Sequence, residues 1–183
     1  MSEPSKEGVL YLPLKPKEQN YDWNCGPTAL YVALRFQFGL PLTLNEFTLL
    51  TGATEDGADE YNMVRGLHLL GFKYQQRKDG TIAHLKKCLE LGQPPVVHMV
   101  VSDGEGHYVT VCGIDDENVK VADPTTGKEV AYGLPYFIGC WRVGKEEPPE
   151  HWYLVVTGHS GDKLGPMITK LKRIQRKIIK YRS

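Results

Sequence analysis

Between Cys25 and Phe38 the chain reads CGPTALYVALRFQF, in which Ala29, Leu30, Val32, Ala33, Leu34 and Phe36 leave few polar sides. A helical segment that is apolar on most sides has to be covered on most sides, so it belongs within a core. Asn24 is a favoured N-cap residue, which would make Cys25 the first helical residue, and Pro27 falls in the first turn, where a missing donor costs nothing. Gly39 closes the segment. With 183 residues, 41% of them hydrophobic and 24% charged, the chain can bury such a helix in one domain of ordinary size, with room for two lobes.

The segments around it differ on the two sides. Thr43 with Glu46 forms a capping-box pattern and starts a helix over 44–50, stopped by Gly52. A third helix is expected over 59–70, with Met63, Leu67 and Leu70 inward and Gly71 at its end, followed by a strand over 72–77. Ile82, Leu85, Leu89 and Leu91 mark a fourth, ended by Gly92 and the Pro94–Pro95 pair. Thereafter 96–101, 107–114, 119–122 and 152–157 are rich in β-branched and aromatic residues and read as strands separated by turns at 103–106 and 115–118. A helical half followed by a mainly antiparallel half predicts an α+β fold.

Several classes drop out. No apolar run approaches the roughly 20 residues of a membrane-spanning helix. The polar start of the chain carries no basic-then-apolar signal, so a cytoplasmic location is expected. Cys25, Cys88, Cys112 and Cys140 are scattered without a Cys-x-x-Cys pair and are expected as free thiols. The spacing of the six histidines and four cysteines offers no zinc pattern, and no metal or other cofactor is expected.

That leaves a thiol available for chemistry. A helix N-terminus stabilises negative charge and lowers a thiol's pKa, which prepares Cys25 as a nucleophile, and Gly26 beside it leaves room for a substrate backbone. The plainer alternative is that Cys25 is a small core residue. A nucleophilic thiol needs a base, and His107 follows a glycine-rich turn and opens a strand, whereas His68 and His84 lie in helices, His98 is mid-strand, and His151 and His159 fall in or beside late loops. The following strand ends at Asp123. A three-residue hairpin turn over 115–117 puts Val109 opposite Asp123, with His107 diagonally across on the same face; a one-residue slip would turn Asp123 away.

Gln19, a five-residue gap, and Asn24-Cys25-Gly26-Pro27-Thr28-Ala29-Leu30 are followed by Gly106-His107-Tyr108-Val109 and by Val121-Ala122-Asp123-Pro124-Thr125-Thr126-Gly127. Over about residues 17–157 these resemble the bacteriocin-processing double-glycine peptidases, a branch of the papain-like cysteine peptidases, as a stand-alone domain without the transporter that the best-known members belong to. The resemblance implies a papain-like cysteine peptidase fold over 1–162 with Cys25 as nucleophile, His107 as base and then acid, Asp123 orienting His107, and Gln19 donating to the oxyanion. Gly26 and Gly106 would border the substrate. The implied substrate is a peptide or protein, cleaved after small residues such as Gly-Gly. Passing the acyl-enzyme to an amine, or binding peptides without catalysis, are the alternatives.

Residues 163–183 hold eight Lys or Arg and no acid, leaving 14 bases against 22 acids before them. Leu164, Ile168, Leu171, Ile174 and Ile178 recur at helical spacing, so 163–183 reads as a basic amphipathic helix. Its acceptor is left open among the chain's own acidic body, a partner and an anionic surface.

Overall fold

The computed structural model describes residues 9–101, 104–161, 165–166, 168–170 and 173. In chain order the elements are β1 (Leu10–Tyr11), α1 (Cys25–Phe38), α2 (Leu44–Thr51), α3 (Glu60–Leu70), β2 (Phe72–Arg77), α4 (Ile82–Glu90), β3 (Val96–Val100), β4 (Gly106–Ile114), β5 (Asn118–Asp123), β6 (Lys128–Gly133), α5 (Leu134–Cys140) and β7 (Tyr153–His159). The capping box at Thr43 and Glu46 forms, Asp59 caps α3 in the same way with Asn62, and Gly39, Gly52 and Gly71 end their helices in the left-handed region. The expected α+β class holds.

One antiparallel sheet runs β2-β7-β3-β4-β5-β6, with β1 alongside the far end of β4. Its residues alternate between two cores, as the period of a strand requires. Val96, Tyr108, Leu154 and Val156 meet Ala29, Leu30 and Leu34 of α1, Phe47 of α2, and Met63, Leu67 and Leu70 of α3. Val97, Met99, Val109, Val111 and Val155 turn the other way, to Leu85 and Leu89 of α4 and to Phe137 and Trp141. Within this sandwich α1 is tied to β4 by the buried Thr110 hydroxyl, which donates to the Ala29 carbonyl at 2.7 Å.

Two elements between Asp123 and Trp152 went unread in the sequence. β6 is an edge strand, largely exposed, with Val130 and Tyr132 half-buried, and the seven-residue α5 fully buries only Phe137 and contains Pro135 and Gly139, so each has a short, faint period. The β4–β5 hairpin departs from the expected three-residue turn. Ile114 pairs with Val119 across a four-residue loop, closed by the Asp115 amide on the Asn118 carbonyl at 3.0 Å. A bulge at Cys112 then restores the register, so Val111 faces Val121 and Thr110 faces Ala122. Continued by one pair, this sets Val109 opposite Asp123: the loop is one residue longer than expected and the bulge takes that residue back.

The basic helix predicted over 163–183 lies mostly outside the described residues. Of its described part, Ile168 is buried in the core on the α1–α3 side, while Lys170 and Arg173 are exposed.

Removing the Thr110 hydroxyl without changing its shape isolates the α1–β4 tie. Thr110→Val is expected to lose about 1 kcal/mol of stability, read as a lower urea midpoint at unchanged slope.

Candidate active site

The start of α1 is built by the loop before it. Asn24, expected to cap the helix, makes no side-chain cap. It is fully buried, with Oδ1 accepting from the Tyr21 amide at 3.2 Å and Nδ2 donating to Thr48 Oγ1 at 3.4 Å. The reason lies in the tight turn over 21–24, closed by the Asn24 amide on the Tyr21 carbonyl at 3.2 Å, which draws the side chain back into the loop. With no side-chain cap and no acidic residue in its first turn, the positive end of α1 is left to whatever anion sits on it. Cys25 is that residue.

Facing Cys25 from the sheet, His107 is the second residue of β4 and Asp123 the last of β5. His107 Nε2 lies 2.8 Å from Asp123 Oδ1. A carboxylate accepts, so Nε2 carries the proton and Nδ1 is the ring nitrogen left for the sulfur. Asp123 is buried, and its Oδ1 also accepts from the Thr125 amide at 2.9 Å, an Asx turn that the Asp-Pro-Thr-Thr-Gly sequence encodes. Thr125 Oγ1 stands 3.4 Å from the same His107 nitrogen. Cys25, His107 and Asp123 thus form one row, joined by the His107–Asp123 hydrogen bond and by the action of the His107 ring on the Cys25 thiol.

Burial pushes the Cys25 thiol up, but hydrogen bonds from the His107 ring and from the Tyr108 and Gly26 amides, with the His107 charge, outweigh it and leave the pKa lowered. Burial disfavours charge on His107, yet the bonds to Asp123 and Cys25 raise it to about 9. Both shifts favour a thiolate–imidazolium pair at neutral pH. Desolvation, joined at Cys112 by the charge of Glu129, raises Cys88 to about 11 and Cys112 to about 12, so burial without an imidazole partner gives the opposite outcome.

Gln19 reaches this end of the sheet on the N-terminal arm. Its amide donates to the Pro124 carbonyl at 2.8 Å, directly after Asp123, and Nε2 donates to the Tyr21 carbonyl at 2.9 Å, leaving one amide proton uncommitted. Gly127, at φ +62°, lets the arm lie this close: a Cβ there would stand 2.8 Å from the Glu18 nitrogen. The two other glycines have packing reasons. Gly26, expected to admit a substrate backbone, is buried, and a Cβ on it would meet Met63 Sδ at 2.9 Å and Tyr108 Cδ2 at 3.2 Å. Gly106 is exposed, but its missing Cβ is the space taken by the His98 ring. The Tyr108 amide and Thr125, both in contact with the row, went unread in the sequence; the Asx-turn pattern is the signal that pointed to Thr125.

The sequence profile described as "Peptidase C39 family" matches residues 14–142. This chain belongs to the Peptidase C39 family. The C39 peptidases are cysteine peptidases, and the match contains all six candidate residues. The chain is 26% identical over 110 residues to the lactococcin-G-processing and transport ATP-binding protein LagD of Lactococcus lactis, covering 60% of this chain and 15% of that protein. It is 30% identical over 117 residues to an uncharacterized protein of Methanothermobacter thermautotrophicus, covering 60% of this chain and 71% of the other. The fold is shared with the peptidase domain of Streptococcus ComA, at a TM-score of 0.65 and 20% identity, covering 79% of this chain and 98% of that domain. It is shared too with a putative C39-like peptidase of Bacillus anthracis, at 0.67 and 16%, covering 84% and 100%. A double-glycine motif protease from an AMS/PCAT transporter, solved with a leader peptide, matches at 0.61 and 16%, covering 85% and 98%. Among the described residues no helix of this C39 chain is long and apolar enough to cross a membrane.

The shifted pair sets the pH behaviour of the thiols. Alkylation followed site by site by mass spectrometry should find Cys25 gaining reactivity at lower pH than Cys88 and Cys112, which react only in strong alkali. A raised folded-state pKa on His107 means that the stability its charge lends is whole below the ordinary histidine value of about 6.5. It is lost as pH rises through about 9.

Proposed function

We propose that this C39 peptidase cleaves a peptide bond by covalent catalysis, with Cys25 as nucleophile, His107 as base and acid, and Asp123 as the group that orients His107. The observation that carries this reading is the His107–Asp123 hydrogen bond beside Cys25, whose pKa the His107 ring lowers, at an uncapped helix end. The Cys25 thiolate attacks the scissile carbonyl carbon, forming a C–S bond while the carbonyl pair moves to oxygen. The Cys25 backbone amide at the helix start and the uncommitted proton of the Gln19 amide donate to that oxyanion. Collapse of the tetrahedral adduct breaks the C–N bond, and the leaving amine takes the proton held by His107. Water then attacks the thioester as His107 accepts its proton, releasing the acid and restoring the thiolate.

The relatives support a substrate class. One is described as processing and transporting lactococcin G and another as a double-glycine motif protease solved with its leader peptide. For this chain we infer a peptide or protein cut after small residues such as Gly-Gly. Gly106, exposed beside His107, would border the bound chain. We assign the peptidase unit to residues 1–162 and treat 163–183 as a separate basic segment docked through Ile168 on the α1–α3 side.

Cys25→Ala and His107→Ala should abolish cleavage of peptides carrying an internal Gly-Gly, and Asp123→Asn should lower kcat while leaving substrate affinity nearly unchanged. Gln19→Ala, which removes one oxyanion donor, should cost roughly a hundredfold in kcat. Cleavage persisting in Cys25→Ala would remove the proposal. Added amine that turns the acid product into an amide would favour acyl transfer over hydrolysis.

A further inference from the structure

His98 sits in the middle of β3, directly across from Tyr108. Its ring meets Tyr108 edge-on, with centroids 4.8 Å apart and planes at 79°. It also occupies the space where a side chain on residue 106 would begin: a Cβ on Gly106 would stand 2.5 Å from His98 Nε2 and 2.9 Å from Cε1. The third contact is a hydrogen bond of 2.7 Å between Nδ1 and the Arg142 carbonyl. A carbonyl only accepts, so Nδ1 carries the proton and the unprotonated Nε2 is turned toward Gly106.

The Arg142 carbonyl is a fixed point. Its own guanidinium folds the following segment, donating from Nε to the Gly144 carbonyl at 3.1 Å and from Nη1 to Glu147 Oε1 at 2.9 Å. Trp141 just before it bridges to Met99, next to His98, and its buried indole donates to the Trp152 carbonyl at 2.7 Å. His98 therefore connects an anchored segment to Gly106 and Tyr108, the residues on either side of His107. Those first residues of β4 supply both groups that the strand brings to the Cys25 sulfur, the His107 ring and the Tyr108 amide. Hydrogen bonds weaken steeply with lost alignment, so a small displacement of the start of β4 would loosen both.

We propose that His98 is a positioning residue for the Cys25–His107 pair: wedged against Gly106 and Tyr108 and tied to the Arg142 carbonyl, it holds the start of β4 at the sulfur. The proposal rests on Cys25 and His107 being the reacting pair. Burial, relieved in part by the bond to the Arg142 carbonyl, keeps the His98 pKa below the usual histidine range, and the nearby His107 charge acts in the same sense. A neutral ring there supports the pair without adding a second cation beside it.

The test is His98→Phe, which keeps a ring but loses the donor, together with His98→Asn, whose amide can donate from near the position of Nδ1. Three readouts are needed on the full chain: kcat and KM on a Gly-Gly peptide, the ultraviolet absorbance of the thiolate at neutral pH, and the melting temperature. The expected result for His98→Phe is a fall in kcat of roughly ten- to a hundredfold with KM nearly unchanged, the scale of a misplaced reacting group. The thiolate signal should fall with it, and His98→Asn should recover most of both. If His98→Phe does not fold, His98→Leu takes its place with the same expectation. A folded Phe or Leu variant with wild-type kcat and thiolate signal, or an Asn variant that folds yet recovers neither, would overturn the proposal. Should the wild type cleave no peptide, the peptidase reading fails on its own, while the thiolate signal still decides the role of His98.

Discussion

How Cys25 meets His107 depends on how α1 lies against β4. The helix brings the sulfur and the strand brings the imidazole, so the distance between them is a helix-to-sheet packing distance. It is set by the buried apolar residues of α1, the Thr110–Ala29 hydrogen bond and the fit of Tyr108 between Gly26 and Trp152. Interiors are close-packed, so such a distance has little freedom to drift. A catalytic geometry placed on that seam inherits the rigidity of the core.

Charge is managed by the same arrangement. Cys88 and Cys112 are buried and shifted away from their anions, whereas the half-buried Cys25 is shifted toward its anion, because it has an open helix end, a strand amide and an imidazole around it. Asp123 acts at one remove: burial disfavours its charge, but His107 and the Thr125 amide more than compensate, so its carboxyl is held below the usual range and the proton stays on the ring. The N-terminal arm closes the arrangement by attaching Gln19 to the turn that follows Asp123. Three separate stretches of chain then hold one position relative to one another.

Much of this was legible in the sequence. Helices with caps and a buried stripe declared themselves, as did the strands facing both cores, because period and capping chemistry are local. Cys25, His107 and Asp123 could be picked out because each stands at an element boundary. What was not legible depends on contacts made from afar. Asn24 has the composition of a cap, but the turn behind it and Thr48 of another helix claim its side chain. The packing at Gly26 and Gly106 was hidden as well, since their bare Cα atoms accommodate Met63, Tyr108 and His98, which no local pattern reveals. β6 and α5 are short and largely exposed, so their period is faint.

The bulge at Cys112 bears on how such a hairpin can change over time. His107 and Asp123 are 16 positions apart, and what puts them on one face is parity, since each residue gained or lost between them reverses which way Asp123 points. Point substitutions in the exposed loop leave that parity alone, so the loop is free in spelling but not in length. A single insertion or deletion there stays compatible with the row only when a second irregularity, such as an extra or missing bulge, offsets it. Length changes between His107 and Asp123 should therefore survive in compensated pairs, while the residues of the loop itself wander.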